Sequence, residues 1–188
     1  MFELAPFDLP ADYGEGIVSL EDVKAWCSID PGETEFDGLL GALRDAAVDM
    51  VERYCGVFLA PREGVVWTGD AIGARFRLPY RPVSAVTAFA YLDRSGAPSL
   101  LDTATLRLAA AGELRTLGGE AWPDGEAFEV TFNAGYTDAN RPSLLVTAVK
   151  MFTAHLFANR EAVVTGTISG EIPLGFQRMC AQFRPVLI

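Results

Sequence analysis

The sequence predicts an α+β protein in which a helical core of long antiparallel helices carries an inserted, mainly antiparallel β-sheet region and ends in an extended tail. Apolar residues recur at the three-and-four spacing of helices near both ends of the chain, whereas the stretch between them follows the two-residue period of strands. We therefore predict one domain over 1–188, with helical parts at 17–61 and 140–183, a β insertion at 62–138 and a C-terminal tail at 184–188.

Composition narrows the classes of protein to which the chain can belong. Half of its 188 residues are hydrophobic and 21% are charged, which is enough apolar surface for a folded core. The formal net charge of −10 is opposite in sign to the basic surface of a nucleic-acid-binding protein, so static DNA binding is not expected. No apolar run approaches the roughly 20 residues that cross a bilayer, and the N-terminal residues include acids where a signal peptide carries Lys or Arg. We expect neither a membrane partner nor export.

Cysteine usage gives no support for a disulfide framework or a metal site. Cys27, Cys55 and Cys180 are far apart, they form no CxxC pair, and His155 is the one histidine of the chain. These ligands are too few and too widely spaced for structural zinc. The sequence predicts three buried thiols in a reducing compartment, and no cofactor or metal.

Two helices are predicted in the first third of the chain. The first spans Ser19–Ser28, with Ser19 as the N-cap and Asp22 near the positive helix end. The second spans Glu35–Cys55 and ends at Gly56. The residues expected to face the core are Leu20, Val23, Trp26 and Cys27 in the first helix, and Leu39, Leu40, Leu43, Ala47, Met50, Val51 and Tyr54 in the second.

The middle of the chain changes to short β-type runs separated by Gly, Pro and Asp. Strict alternation in Arg75–Leu78 and in 129–132 predicts strands with one buried and one solvent-exposed side. The predicted strands are Gly64–Thr68, Arg75–Leu78, Val83–Leu92, Thr105–Leu108 and Phe128–Asn133.

Helical periodicity returns after Pro142, a residue suited to a first helical turn, and continues to about Asn159. This helix is expected to pack on the Glu35–Cys55 helix. A link over Val164–Gly170 then precedes a last short helix that begins at Pro173. Its inward-facing residues are predicted to be Phe176, Met179, Cys180 and Phe183.

Motifs for catalysis are absent from the sequence. His155 shares a helix side with Phe152 and Leu156, which is typical of a core or groove histidine rather than a general base. No phosphate-binding glycine motif and no G-x-S-x-G elbow occurs. The acid pairs Glu21/Asp22 and Asp45/Asp49 lie on polar helix sides, where solvation explains them. We predict no catalytic residue.

Charge and hydropathy are distributed unevenly toward the two ends. Residues 1–61 carry a net charge of −10, residues 62–138 carry −3 and residues 139–188 carry +3. This asymmetry suits head-to-tail self-association or a charged partner, and an attraction within the chain explains it equally well. The tail Val186–Ile188 is entirely apolar and follows Pro185, which favours an extended conformation. It folds back on its own core or enters a groove or sheet edge of a partner.

Three stretches together resemble the head-tail connector (adaptor) family of tailed phages and phage-derived gene transfer agents. The resemblance spans roughly residues 18–185. The first stretch is Val18–Lys24 with Glu52–Gly56, the second is Leu78–Val86 with Phe132–Tyr136, and the third is Pro142–Glu161 with Ile172–Phe176 and Phe183–Pro185.

The resemblance implies a non-enzymatic structural protein of the particle neck, present in the bacterial cytoplasm during assembly. Members of the family form a ring, twelvefold in the particle, that attaches to the portal protein, extends the DNA channel and supports the next neck or stopper protein. DNA would pass through without specific binding. By this resemblance Val164–Ile188 would dock on the portal and the helical core would make the lateral contacts. The expected portal-docking residues are Phe183, Arg184, Pro185, Val186, Leu187 and Ile188, with Arg184 forming an ion pair.

Two other functions fit the sequence. A stopper or tail-terminator protein belongs to the same neck, one layer further from the portal. A small hydrolase or ligand-binding domain would instead place its site around His155 and Tyr136.

Overall fold

The computed structural model describes two compact units. The β unit comprises Met1–Asp8 and Pro61–Thr137, and the helical unit comprises Leu9–Ala60 and Asp138–Ile188. The assignment of both to one domain stays a prediction. No helix in the described part of the chain is long and apolar enough to span a membrane. The described residues are 2–4, 10, 12–73, 75–109, 112–159 and 174–184.

The helical unit contains four described helices, of seven, 19, 16 and eight residues. The predicted core of long antiparallel helices is not borne out, because the short first and last helices share the apolar surface of the unit and both pack on the two longer ones. The helices are α1 (Leu20–Trp26), α2 (Asp37–Cys55), α3 (Ser143–Ala158) and α4 (Leu174–Ala181).

The ends of α1 and α2 follow the capping rules. The Ser19 hydroxyl accepts a hydrogen bond from the backbone N–H of Asp22 at 3.1 Å, as an N-cap should. Gly56 ends α2 in the left-handed conformation with φ of 62°, which glycine adopts without steric cost. Both predicted boundaries are thus confirmed, but Trp26, expected inside, is 46% exposed.

The buried side of α2 is rotated relative to the prediction. Leu39 and Met50, expected in the core, are exposed, whereas Arg44 and Glu52 are buried. Ion pairing explains the difference, because Arg44 pairs with Glu15 and Asp45 and can therefore lie inside. The buried residues are Leu40, Arg44, Ala47, Val48, Val51, Glu52 and Cys55.

The β unit contains two antiparallel sheets. The larger has the order β1-β2-β8-β4-β5 and the smaller has the order β3-β7-β6. The strands are β1 (Phe2–Leu4), β2 (Arg62–Gly69), β3 (Phe76–Arg77), β4 (Val83–Asp93), β5 (Pro98–Leu100), β6 (Leu106–Leu108), β7 (Glu113–Thr116) and β8 (Gly125–Ala134).

The sequence predicted five of these strands and missed β1, β5 and β7. Each missed strand has three or four residues, and each is defined by pairing with a strand that is distant or across a turn in the sequence, which hydrophobic periodicity does not report. The predicted alternation is confirmed where it was strict: Phe76 and Leu78 are buried, and Arg75 and Arg77 are exposed.

Aromatic side chains of both sheets meet in the core of the β unit. Trp67 of β2 lies 4.5 Å from Phe76 of β3, measured between ring centroids. Trp122, in the loop before β8, is 6.1 Å from Phe76 and stacks on Phe89 of β4 at 5.8 Å. These rings bridge the large and small sheets and bury the inner side of each.

A network of polar contacts in the helical unit centres on Leu59. Its backbone N–H donates to Oε1 of the buried Glu52 at 2.6 Å, and its carbonyl accepts from Nε of Arg141 at 2.6 Å. The Tyr13 hydroxyl donates to the same Glu52 oxygen at 2.5 Å, and Arg141 also reaches the carbonyl of Gly16 and the Asp138 carboxylate. The polypeptide just before the β unit is thereby fixed to the polypeptide just after it.

Removal of the Glu52 carboxylate should destabilise the protein. We expect Glu52→Ala to lower the free energy of unfolding by about 2–3 kcal/mol, because it leaves the Leu59 N–H buried without its acceptor. Glu52→Gln keeps an acceptor oxygen and should cost about 1 kcal/mol. The control Glu35→Ala, at an exposed carboxylate, should change stability by less than about 0.5 kcal/mol. Urea unfolding would contradict this account if all three variants unfolded alike.

A second carboxylate organises the β4–β5 hairpin. Asp93 Oδ1 accepts hydrogen bonds from the N–H of Ser95 at 2.8 Å, the hydroxyl of Ser95 at 2.6 Å and the N–H of Ala97 at 3.1 Å. The side-chain bond from Ser95, followed by the two backbone bonds, lowers the pKa of Asp93 below its ordinary value.

The pH dependence of this hairpin follows from the lowered pKa. The contribution of the Asp93 carboxylate to hairpin stability is complete above the ordinary aspartate pKa and is lost as the pH falls through the lower folded value. In an NMR titration, we expect the amide protons of Ser95 and Ala97 to shift with a midpoint below the ordinary aspartate pKa. Asp93→Asn should abolish this transition. A midpoint at or above the ordinary value would be inconsistent with the three hydrogen bonds.

Candidate docking surface

The C-terminal helix is held to the helical unit by one buried aromatic residue. Phe176 of α4 is fully buried, with its ring 4.9 Å from Phe152 of α3 and 5.7 Å from Tyr54 of α2. Cys180, one turn further on, is also fully buried and its carbonyl lies 3.8 Å from Sγ of Cys55. As predicted, Phe176 and Cys180 face inward, and they fix the position of α4 in the helical unit.

Two of the predicted docking residues, Phe183 and Arg184, are described by the structure. Phe183 is half-buried and Arg184 is exposed. The Arg184 guanidinium lies over the Tyr54 ring, 4.8 Å from its centroid, a distance typical of a cation–π contact. The other predicted docking residues, Pro185, Val186, Leu187 and Ile188, and the link Val164–Gly170 lie outside the described residues.

The three cysteines are free thiols, but only two are buried as predicted. Cys55 and Cys180 are fully buried, and Cys27 is half-buried. Partial burial raises the pKa of the Cys27 thiol, whereas a hydrogen bond with Cys55 lowers the pKa of Cys180. Within the described ranges, no group of three or more His, Cys, Asp and Glu side chains could hold a metal ion.

His155 has the surroundings of a structural residue. It is half-buried on α3, its ring stacks on Phe152 at 6.1 Å, and its Nδ1 lies 3.2 Å from the amide nitrogen of Asn159. Neither neighbour is a carboxylate or a nucleophile, so the contacts recorded for His155 do not form a catalytic triad. Tyr136, the other residue of the predicted ligand site, belongs to the β unit.

The helical unit exposes apolar side chains at its surface. Trp26 of α1 is 46% exposed, and Leu39 and Met50 of α2 are also exposed, together with Ala42 and Ala46 on the same helix. Monomeric proteins rarely expose large contiguous apolar patches to solvent. This side of α2 is suited to contact with another protein chain. Two of its residues, Leu39 and Met50, were predicted to face the core instead.

The structure brings together the two halves of the second motif on which the family resemblance depends. The N–H of Gly135 donates to the carbonyl of Pro82 at 2.8 Å, and Val83 pairs with Ala134. Leu78–Val86 and Phe132–Tyr136 therefore form one structural feature at the edge of the long β4–β8 ladder. In the first motif, Glu52 and Tyr54 have the roles described above, as the Leu59 acceptor and as the platform for Arg184.

The fold is similar to chains in solved structures of gene transfer agent (GTA) particles. One is in the neck of an empty GTA particle computed with C6 symmetry, with a TM-score of 0.74 and 23% identity over 100% of this chain and 97% of that chain. A second is in the virion of a native GTA particle, with a TM-score of 0.73 and 20% identity over 98% and 96% of the two chains. A third is in the neck of a native GTA particle computed with C12 symmetry, with a TM-score of 0.63 and 20% identity over 97% and 96%.

These similarities establish a shared fold along almost the whole length of the chain. No protein-family model matches the chain, and no curated protein matches it. The α+β arrangement of helices and antiparallel sheets is therefore one that is also found in chains of GTA particles.

Proposed function

We propose that this chain is a structural subunit of the neck of a gene transfer agent or phage particle, and specifically a head-tail connector (adaptor). It attaches to the portal, extends the DNA channel and provides a platform for the next neck protein. The observation that carries the proposal is the shared fold, over almost the full length, with chains in structures of GTA necks and virions. The role is structural rather than enzymatic, and the chain is located in the particle after assembly in the bacterial cytoplasm.

A ring is the form in which such a subunit would act. Two of the similar chains are in neck structures computed with C6 and C12 symmetry, which supports a cyclic oligomer, and the family resemblance suggests twelve copies. In a ring, one surface of each subunit meets a different surface of the next. The exposed apolar side of α2 offers one such surface.

The acidic excess suits a channel that conducts DNA. Each Lys or Arg that contacts a phosphate releases counterions and creates a binding site along the path, which would slow the movement of DNA. A net charge of −10 disfavours such sites over the molecule as a whole. DNA is therefore a passing partner in this proposal, without specific binding.

Docking on the portal is assigned to Phe183, Arg184, Pro185, Val186, Leu187 and Ile188. Arg184 is exposed, and its contact with Tyr54 holds the start of this segment at the last turn of α2. From there an apolar segment that begins with proline can enter a groove of the portal in an extended conformation. The Arg184 guanidinium can pair with a portal carboxylate, because the contact with Tyr54 uses one flat surface of the group and leaves the N–H groups at its edge available.

Truncation tests the docking segment. A chain that ends after Gln182 should fold, because Phe176 and Cys180 still hold α4 in the core, but it should be absent from purified particles. A second truncation after Arg184 removes only the apolar tail and should also prevent incorporation. The measurement is the amount of the chain in purified particles, with circular dichroism of the free chain as the control for folding. Parental amounts of the Gln182 truncation in particles would rule out the docking role.

A stopper or tail-terminator protein is the competing assignment within the neck, because the same structural similarities support any neck component. Direct binding to isolated portal protein separates the two. We expect the purified chain to bind portal without other neck proteins present, and the Gln182 truncation to lose this binding. Binding only to a preformed portal–adaptor complex would assign the chain to a later layer of the neck.

A further inference from the structure

The outer side of the small sheet carries a row of arginines. Arg107 of β6 lies directly opposite Arg115 of β7, and Arg77 of β3 lies opposite Glu113 of β7. Because residues 113 and 115 are two apart on one strand, all four side chains are on the same side of the sheet. The other side carries Phe76 and Leu114, which are buried in the core.

Arg107 and Arg115 also border a cavity. A space of about 810 Å³ is lined by Arg75, Arg107 and Arg115, together with Glu113, Glu120 and the Leu117–Gly119 turn. We call the surface formed by Arg75, Arg77, Arg107 and Arg115 the arginine face. All four residues are exposed.

The arginine face has more positive charge than its own carboxylates can pair. Glu113 pairs with Arg115 at 2.7 Å and lies 3.9 Å from Arg77. Arg75 and Arg107 have no hydrogen bond or ion pair among the described residues. Like charges directly opposite each other on neighbouring strands destabilise the pairing, so the Arg107–Arg115 pair costs stability in the isolated chain. An anion bound between the two guanidiniums would offset that cost, since the guanidinium fork matches a carboxylate.

The same chain supplies a surface of opposite charge. The first segment of the helical unit, Leu9–Ala60, contains 11 acidic and three basic residues, a net charge of −8. Two of its acids, Asp45 and Asp49, are exposed on α2, where they pair with Arg44 and Arg53, and they line a cavity of about 260 Å³. They are next to the exposed apolar residues of α2 described above. The helical surface thus combines carboxylates with an apolar contact area, as protein interfaces commonly do.

We propose that the arginine face binds the carboxylates of the Leu9–Ala60 segment of a second copy of this chain. The contact joins two different surfaces, so it propagates from copy to copy and closes into a ring when the rotation allows. The inference rests on the proposed function only in identifying the second copy as the neighbour in a ring. Nucleic acid, whose phosphates carry the same sign of charge as these carboxylates, is the competing occupant.

Charge reversal at Arg107 tests the contact. In sedimentation experiments over a range of protein concentrations, the parent chain should self-associate at about 50 mM salt and dissociate at about 500 mM, because salt screens exposed charges. Arg107→Glu should raise the dissociation constant about tenfold or more. It should leave the melting temperature unchanged or higher, because it removes the like-charge pair. The melting temperature is thus the control for folding, since an unchanged or higher value shows that a loss of association is not caused by misfolding.

Arg94→Glu is the matched control. Arg94 is an exposed arginine at the tip of the β4–β5 hairpin in the same β unit, and among the described residues its ion-pair partner is Asp124. Its reversal makes the same change in net charge away from the arginine face. It should change the dissociation constant less than twofold, because exposed ion pairs contribute little free energy. Equal losses in the two variants, undiminished association of Arg107→Glu, or a parent that stays monomeric at low salt would each overturn the inference.

A crosslink identifies the occupant. In an equal mixture of ¹⁴N- and ¹⁵N-labelled Arg107→Lys chains, a carbodiimide should join the introduced amine of one copy to a carboxylate of Leu9–Ala60 in the other, with Asp45 and Asp49 the expected sites. Bonds found only within one copy, or only to acids of the β unit, would overturn the inference. So would a tenfold loss of double-stranded DNA binding in Arg107→Glu with unchanged self-association, which would assign the face to phosphates.

Particle assembly separates this inference from the proposed function. If Arg107→Glu enters particles in parental amounts and rings form normally, the arginine contact is refuted while the neck assignment stands. If the parent chain is never found in particles but associates in solution through the arginine face, the neck assignment fails and the contact stands.

Discussion

The structure of the helical unit depends on the two backbone hydrogen bonds of Leu59. Its N–H is satisfied by the buried carboxylate of Glu52 and its carbonyl by the guanidinium of Arg141. A buried charge is tolerated only when it is hydrogen-bonded, so the two side chains and the intervening peptide stabilise one another. Arg141 also holds Asp138, where the chain re-enters the helical unit, so the exit and the return of the polypeptide are fixed at one point.

Several other features of the described residues are surface features. The contacts of His155 and the thiols are those of packing residues, while the acids and the exposed apolar residues of α2 lie side by side. The arginines of the small sheet form a surface of opposite sign. The proposed contact between two copies of the chain joins this surface to the acids of the helical unit.

The features predicted correctly from the sequence are those determined by interactions between residues that are close together in the chain. The Ser19 cap, the Gly56 end of α2 and the alternation around Phe76 are encoded within a few residues and were confirmed. The predicted buried side of α2 was wrong. Hydropathy alone places Arg44 and Glu52 on the solvent-exposed side, whereas polar partners elsewhere in the chain stabilise them in buried positions. The arginine face could not be predicted, since Arg107 and Arg115 are opposite only through the register of β6 and β7. Portal docking was suggested by the motif resemblance and stays a proposal.

The short strand at the N-terminus changes the covalent connectivity of the two units. Because Phe2–Leu4 pairs with β2, the chain begins in the β unit, enters the helical unit, returns to the β unit and finishes in the helical unit. Three peptide links therefore join the units, at Asp8–Leu9, Ala60–Pro61 and Thr137–Asp138. Cleavage of any one of these links therefore leaves the two units covalently joined through the other two.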